Sequence, residues 1–173
     1  MKERKLVLKL IEKGFKIATA ESCTGGMVAA TIVNVPMASK VIDESVVTYA
    51  NEAKIKYLGV LPETIETKGV VSEEVAGQMA IGVAKTAGAN VGVGVSGIAG
   101  PSGGTKEKPV GTVCFGFCVN GNVQTYKKHF KGSRMAVRKK STKFVIDTLL
   151  NILEQQDWNL RWIIMKTIKH YRI

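Results

Sequence analysis

Thr19-Ala20-Glu21-Ser22-Cys23-Thr24-Gly25-Gly26 is the stretch on which the reading of this chain turns. A short apolar run, 16–19, predicts a strand before it, and residues 25–34 predict a helix after it. A strand–turn–helix junction points backbone N–H groups and hydroxyls at one spot. The helix N-terminus adds roughly half a positive charge there. Such a spot holds a phosphate, or stabilises an oxyanion beside a nucleophile. Three nucleophile candidates stand in a row: Ser22, Cys23 and Thr24.

Upstream, Leu6, Leu10 and Ile11 recur at helical spacing, so residues 3–14 predict an amphipathic helix that Gly14 ends. Downstream, the β-branched run at 45–50 predicts a second strand. Asn51 is an expected N-cap for a short helix over 52–58, and Pro62 suits the first turn of another. Ser72 is the expected cap of a long helix over 73–87, with Glu73 and Glu74 in its first turn. Residues 90–96 predict a strand of small apolar residues, followed by a Gly-rich loop at 97–104. Two further strands, 111–118 and 122–130, flank Asn120-Gly121, a strong signal for a tight hairpin. Ser133 then caps a long basic helix to about residue 155. Helices separate the first three strands and a hairpin joins the last two. That order predicts a three-layer α/β/α sandwich with a mixed, mostly parallel sheet of about five strands. Residues 1–156 form the expected domain, and 157–173 an expected helical extension carrying both tryptophans, Trp158 and Trp162. The extension is expected to pack on the domain or on a sister subunit, with a membrane-surface helix as the rival reading.

A chain of 173 residues is long enough for one domain with a full core, and 45% apolar with 23% charged residues argues against disorder. No apolar run reaches the roughly 18–20 residues of a membrane span. The charged start does not resemble a signal peptide. Three cysteines without framework spacing suggest a reducing cytoplasm. Two histidines, His129 and His170, make no ligand-spaced cluster, so neither a metal nor another cofactor is expected. The net charge of +11 is uneven: residues 124–173 hold 12 basic and 3 acidic residues. A basic end fits nucleic acid or an anionic membrane. The plainer reading, a solvated helix face with one or two phosphate-directed arginines, is preferred, so nucleic acid is not an expected partner.

In open α/β sheets ligands bind beyond the carboxyl ends of the strands, so the loops at 21–26 and 97–104 should face one pocket. Neither has dinucleotide or P-loop spacing, and their glycines can equally serve positive φ. Ser22, taken alone, is more often a helix cap than a nucleophile. A nucleophilic serine needs a base, and no histidine is well placed. Lys54, on the short helix after the second strand, is the candidate. A desolvated lysine has a lowered pKa and can act as a base, whereas the default for any lysine is a solvated surface position.

Four stretches carry a resemblance: Thr19–Gly26, Val47–Lys54, Val71-Ser72, and Ser96–Pro101 through Lys108–Val113. In this order and spacing they resemble the C-terminal domain of the competence-damage-inducible protein CinA, over residues 3–155. The family's stand-alone form is a nicotinamide-nucleotide amidase, and this chain is similar to that short form, without the N-terminal cofactor-binding-like domain. The resemblance implies hydrolysis of nicotinamide mononucleotide to nicotinate mononucleotide and ammonia, in pyridine-nucleotide salvage, by a dimer. It implies a catalytic Ser–Lys pair at Ser22 and Lys54, with helix N–H groups near Thr24, Gly25 and Gly26 holding the oxyanion. The substrate's phosphate is expected on the Gly-rich backbone at 97–104, Gly97 and Gly100 included, with Arg134 or Arg138, and its pyridinium on Tyr49. Two rival readings remain: an inactive nucleotide- or nucleic-acid-binding module, and an amidohydrolase acting on another carboxamide.

Overall fold

A computed structural model describes the backbone of residues 1–170 and the side chains of residues 1–156. The expected surface of Trp158 and Trp162 therefore lies outside the described residues. The elements run α1 (Lys2–Lys13), β1 (Ile17–Glu21), α2 (Met27–Val33), a 3-10 turn (Ala38–Lys40), β2 (Val46–Val47), α3 (Asn51–Leu58), α4 (Pro62–Lys68), α5 (Glu73–Thr86), β3 (Val91–Gly97), β4 (Thr112–Val119), β5 (Asn122–His129) and α6 (Arg134–His170). The five strands form one mixed sheet in the order β2-β1-β3-β4-β5. The pairings of β1 with β2 and β3 are parallel, and those of β4 with β3 and β5 antiparallel.

The sheet has a helical layer on each face. Leu6, Leu10, Ile17, Val28, Ile32, Phe115 and Leu149 join α1, α2 and α6 to one face. Ala18, Ala20, Val75, Met79 and Val83 join α5 to the other. Alternation along β1 thus sends Ile17 to the α2 side and Ala18 and Ala20 to the α5 side, as a period of two requires. On the α5 side, glycine sets the spacing between layers. A Cβ at Gly94 would stand 2.2 Å from the Ala76 carbonyl oxygen, and one at Gly116 would stand 2.1 Å from it. The helix can lie this close only because both strands lack a side chain there. On the opposite face, Phe144 of α6 packs at a tilt on Phe115 with ring centroids 4.6 Å apart.

Local signals explain most boundaries. The Asn120–Gly121 turn has φ of 49° and 82°, the doubly positive conformation of a two-residue hairpin. Ser72 caps α5 by accepting from the Val75 amide at 3.3 Å, and Ser133 accepts from the Ala136 amide at 3.3 Å. Three expectations need correction. The second strand is only Val46–Val47, because the carbonyls of Thr48 and Tyr49 turn away to accept from Lys54. Asn51 is the first residue of α3 rather than its cap; Ala50 holds that position without a side-chain bond. Gly25 and Gly26 precede α2 instead of beginning it, with φ of 59° and 90°, and so form the turn itself.

Candidate active site

The parallel register of β1 and β2 builds the site. Glu21 pairs with Val47, so Ser22 and Thr48 leave the sheet side by side. The Ser22 amide donates to the Val95 carbonyl of β3 at 3.0 Å, and the Thr48 amide to the Glu21 carbonyl at 3.0 Å. One turn into α3, Lys54 points back beneath them. It is one of the largest fully buried side chains of the described residues, at 1% exposure. Its Nζ donates to the Thr48 carbonyl at 2.9 Å, the Tyr49 carbonyl at 3.0 Å and Ser22 Oγ at 3.4 Å.

An ammonium has three donors, and here each has an acceptor. A neutral amine on the same three partners keeps both carbonyl bonds and turns its lone pair to the Ser22 hydroxyl. Burial favours that neutral form and holds the Lys54 pKa below the ordinary lysine range, against a smaller opposing pull from Glu52. Cys23 shows the opposite balance. Burial pushes its thiol up to about 12, and nearby Glu21 adds to the rise. Beside Ser22, therefore, the intrinsically better nucleophile is held as an unreactive thiol.

Ser22 and Lys54 open into a cleft of about 340 Å³ whose walls include Tyr49, Gly97, Gly100 and Arg134. Arg134 crosses its mouth: Nη1 donates to the Gly100 carbonyl at 2.8 Å and Nη2 to the Tyr49 hydroxyl at 3.0 Å. The Tyr49 side chain is exposed at the rim. The amides of Ser102 and Gly103, on the same wall, make no backbone hydrogen bond. Ser96 also lines the cleft but donates its hydroxyl to the Val70 carbonyl at 2.7 Å.

Thr24, Gly25, Gly26 and Arg138 are absent from these walls. Thr24 is buried, and its hydroxyl has no partner. The Gly25 amide closes the turn on the Ser22 carbonyl at 3.0 Å. The expectation that the Gly26 amide holds an oxyanion is corrected, because that amide donates to Glu21 Oε2 at 3.0 Å. The Arg138 expectation is corrected too. Its Nε donates to the Cys23 carbonyl at 3.1 Å and its Nη2 to the Thr24 carbonyl at 2.7 Å, so it grips the loop and does not line the cleft.

Glu21 is the residue whose role the sequence reading missed. It is fully buried, and its carboxylate accepts from Thr19 Oγ1 and the amides of Gly26, Val28 and Ala29. The available signal was a carboxylate on an apolar strand, in step with Thr19 and just ahead of a Gly-Gly helix start. Among the described residues, no group of three His, Cys, Asp or Glu side chains is arranged to hold a metal ion, and no helix is long and apolar enough to cross a membrane.

Comparison with known proteins places this architecture. A competence-damage inducible protein of Clostridium acetobutylicum is 55% identical over 138 residues, covering 80% of this chain and 34% of the relative. A CinA-like protein of Kosmotoga olearia is 50% identical over 143 residues, 82% of this chain and 35% of the relative. The chain thus spans about a third of the length of the curated relatives it matches. The crystal structure of a CinA superfamily protein from Klebsiella pneumoniae superposes with a TM-score of 0.86 at 34% identity, covering 89% of this chain and 96% of that one. A competence or damage-inducible protein from Enterobacter asburiae superposes with a TM-score of 0.85 at 36% identity, covering 88% and 96%. The CinA C-terminal domain model matches residues 1–153, and the chain belongs to that family.

Proposed function

We propose that this domain is a serine amidohydrolase that converts nicotinamide mononucleotide to nicotinate mononucleotide and ammonia. One observation carries the reading: a fully buried lysine, tied by two backbone carbonyls, has its third contact on a serine hydroxyl at the floor of a cleft. A lysine held only for packing would not need that serine, and a serine held only as a cap would not need that lysine.

In this reading neutral Lys54 takes the proton of Ser22 as Oγ attacks the carboxamide carbon. The amide of Cys23, which lines the cleft and donates to no backbone carbonyl, stabilises the oxyanion. Lys54 returns its proton to the leaving nitrogen, and ammonia departs. A water, deprotonated by the same amine, then hydrolyses the ester on Ser22. Arg134 with the Ser102 and Gly103 amides offers donors for the phosphate, and Tyr49 offers a ring face to the cationic pyridine. The test is release of ammonia and nicotinate mononucleotide, in equal amounts, by purified protein. Ser22→Ala should abolish it. Saturable binding of the nucleotide without ammonia would favour a binding module, and turnover of other carboxamides alone would move the reading to a different substrate.

A further inference from the structure

The four hydrogen bonds to Glu21 are unusual for their location. A carboxylate with no exposure is costly unless every lone pair is used. Here Oε1 accepts from Thr19 Oγ1 at 3.0 Å and from the Ala29 amide at 2.9 Å, while Oε2 accepts from the Gly26 amide at 3.0 Å and the Val28 amide at 3.1 Å. A serine or aspartate in the turn would be the ordinary way to satisfy the first amides of a helix. Instead the cap reaches up from the strand, from the residue immediately before Ser22. The same residue's carbonyl accepts from the Thr48 amide, and the Thr48 carbonyl accepts from Lys54. Glu21 is thus the node at which the nucleophile's turn, the first turn of α2 and the segment that aims Lys54 are joined.

We infer that Glu21 is a positioning residue for the Ser22–Lys54 pair: its carboxylate fixes the turn that sets where Ser22 Oγ lies relative to Nζ. The inference rests on the Ser–Lys reading above. The pair stands at 3.4 Å, the long end of hydrogen-bonding range, so a further slip of the turn breaks it. Arg138 grips the carbonyls of Cys23 and Thr24 from the other side, so the loop is held by its amides through one charge and by its carbonyls through the opposite one.

Glu21→Gln keeps the shape and removes this function. Whichever way the amide is turned, one carboxylate oxygen becomes an NH₂ facing an amide donor, Ala29 in one orientation and Gly26 with Val28 in the other. The turn must then move. A displacement on the order of 1 Å costs about 100-fold in rate.

The experiment compares the full chain with Glu21→Gln and Thr19→Val, each normalised to folded protein by circular dichroism. Two rates are read: ammonia release from nicotinamide mononucleotide, and sulfonylation of Ser22 by phenylmethanesulfonyl fluoride, followed by intact mass. Glu21→Gln should slow both by about 10- to 100-fold with KM little changed, and Thr19→Val should slow both by a smaller factor. A purely structural role would lower the melting temperature and leave both rates per folded molecule unchanged; that result overturns the inference. So does a rise in KM at constant kcat. If Glu21→Gln does not fold, Thr19→Val decides alone: slower sulfonylation supports the inference and an unchanged rate overturns it. A parent protein that sulfonylates at Ser22 but releases no ammonia sinks the carboxamide reading, while the labelling rates still judge Glu21. A parent whose Ser22 is not labelled overturns both.

Discussion

Lys54→Met is the most searching perturbation of the site. Methionine fills much of the buried volume and removes all three contacts of Nζ. Loss of a positioned general base costs about 10²- to 10⁴-fold in kcat. The buried site has no second amine to substitute, so the upper part of that range is expected. Ser22→Ala should lose a comparable amount, and the double variant no more than the worse single one, because the two groups act as one unit. The pH dependence is the sharper check. Activity needs neutral Lys54, so kcat/KM should rise with pH, with a midpoint below the ordinary lysine value of about 10.4. Stability carries the same sign. Between the folded and unfolded pKa values of Lys54 the unfolded chain binds more protons, so stability rises with pH across that window. Below the folded value the cost of burying the ammonium is present in full. The Tm difference between Lys54→Met and the parent should therefore shift in the parent's favour as pH is raised through that window. Stopped-time ammonia assays and thermal melts from pH 7 to 10 measure both. A Lys54→Met protein within tenfold of the parent kcat, or a rate still climbing without a bend at pH 10, would refute the argument.

Further outcomes are expected at the two arginines, at Cys23 and at Gly116. Arg134→Ala should raise KM for the nucleotide roughly 10- to 100-fold, since a charge-assisted contact is worth about 1.5–3 kcal/mol. Arg138→Ala, which loosens the nucleophile's loop, should lower kcat instead; steady-state kinetics separate the two. Cys23→Ala should keep kcat within about tenfold, and iodoacetamide at pH 8 should modify Cys23 slowly, because its thiol is pushed up to about 12; rapid inactivation by alkylation would contradict this. Gly116→Ala drives a Cβ to 2.1 Å from the Ala76 carbonyl oxygen, so it should destabilise by at least about 1–3 kcal/mol, the usual cost of overpacking, read as a lowered denaturant midpoint.

By itself the sequence determined the layered architecture, because its signals are local. The caps at Ser72 and Ser133, the Asn120–Gly121 turn and the period of each segment name the elements without reference to anything distant. It also brought Ser22 and Lys54 forward, since a nucleophile candidate and the one suitable base stood near strand ends. Boundaries at 45–51 and 25–26 were misread for one reason: the local propensities there yield to non-local partners. Val-Val-Thr-Tyr reads as a strand, but a buried ammonium claims the Thr48 and Tyr49 carbonyls. The division of labour between the two arginines was equally out of reach. Arg134 and Arg138 lie one turn apart on the same helix, and only the packing of α6 against the Ser22 turn sends one to the cleft and the other to the loop. Glu21 was hidden for the same reason. Its partners on α2 are close in sequence, yet whether a strand carboxylate faces them depends on which face of β1 the helix covers. Pairing of Glu21 with Val47 in parallel register then brings a lysine 32 residues away to the serine beside it. Periodicity specifies elements, but contact between side chains at strand ends is set by register and layer order, and those exist only once the sheet has formed.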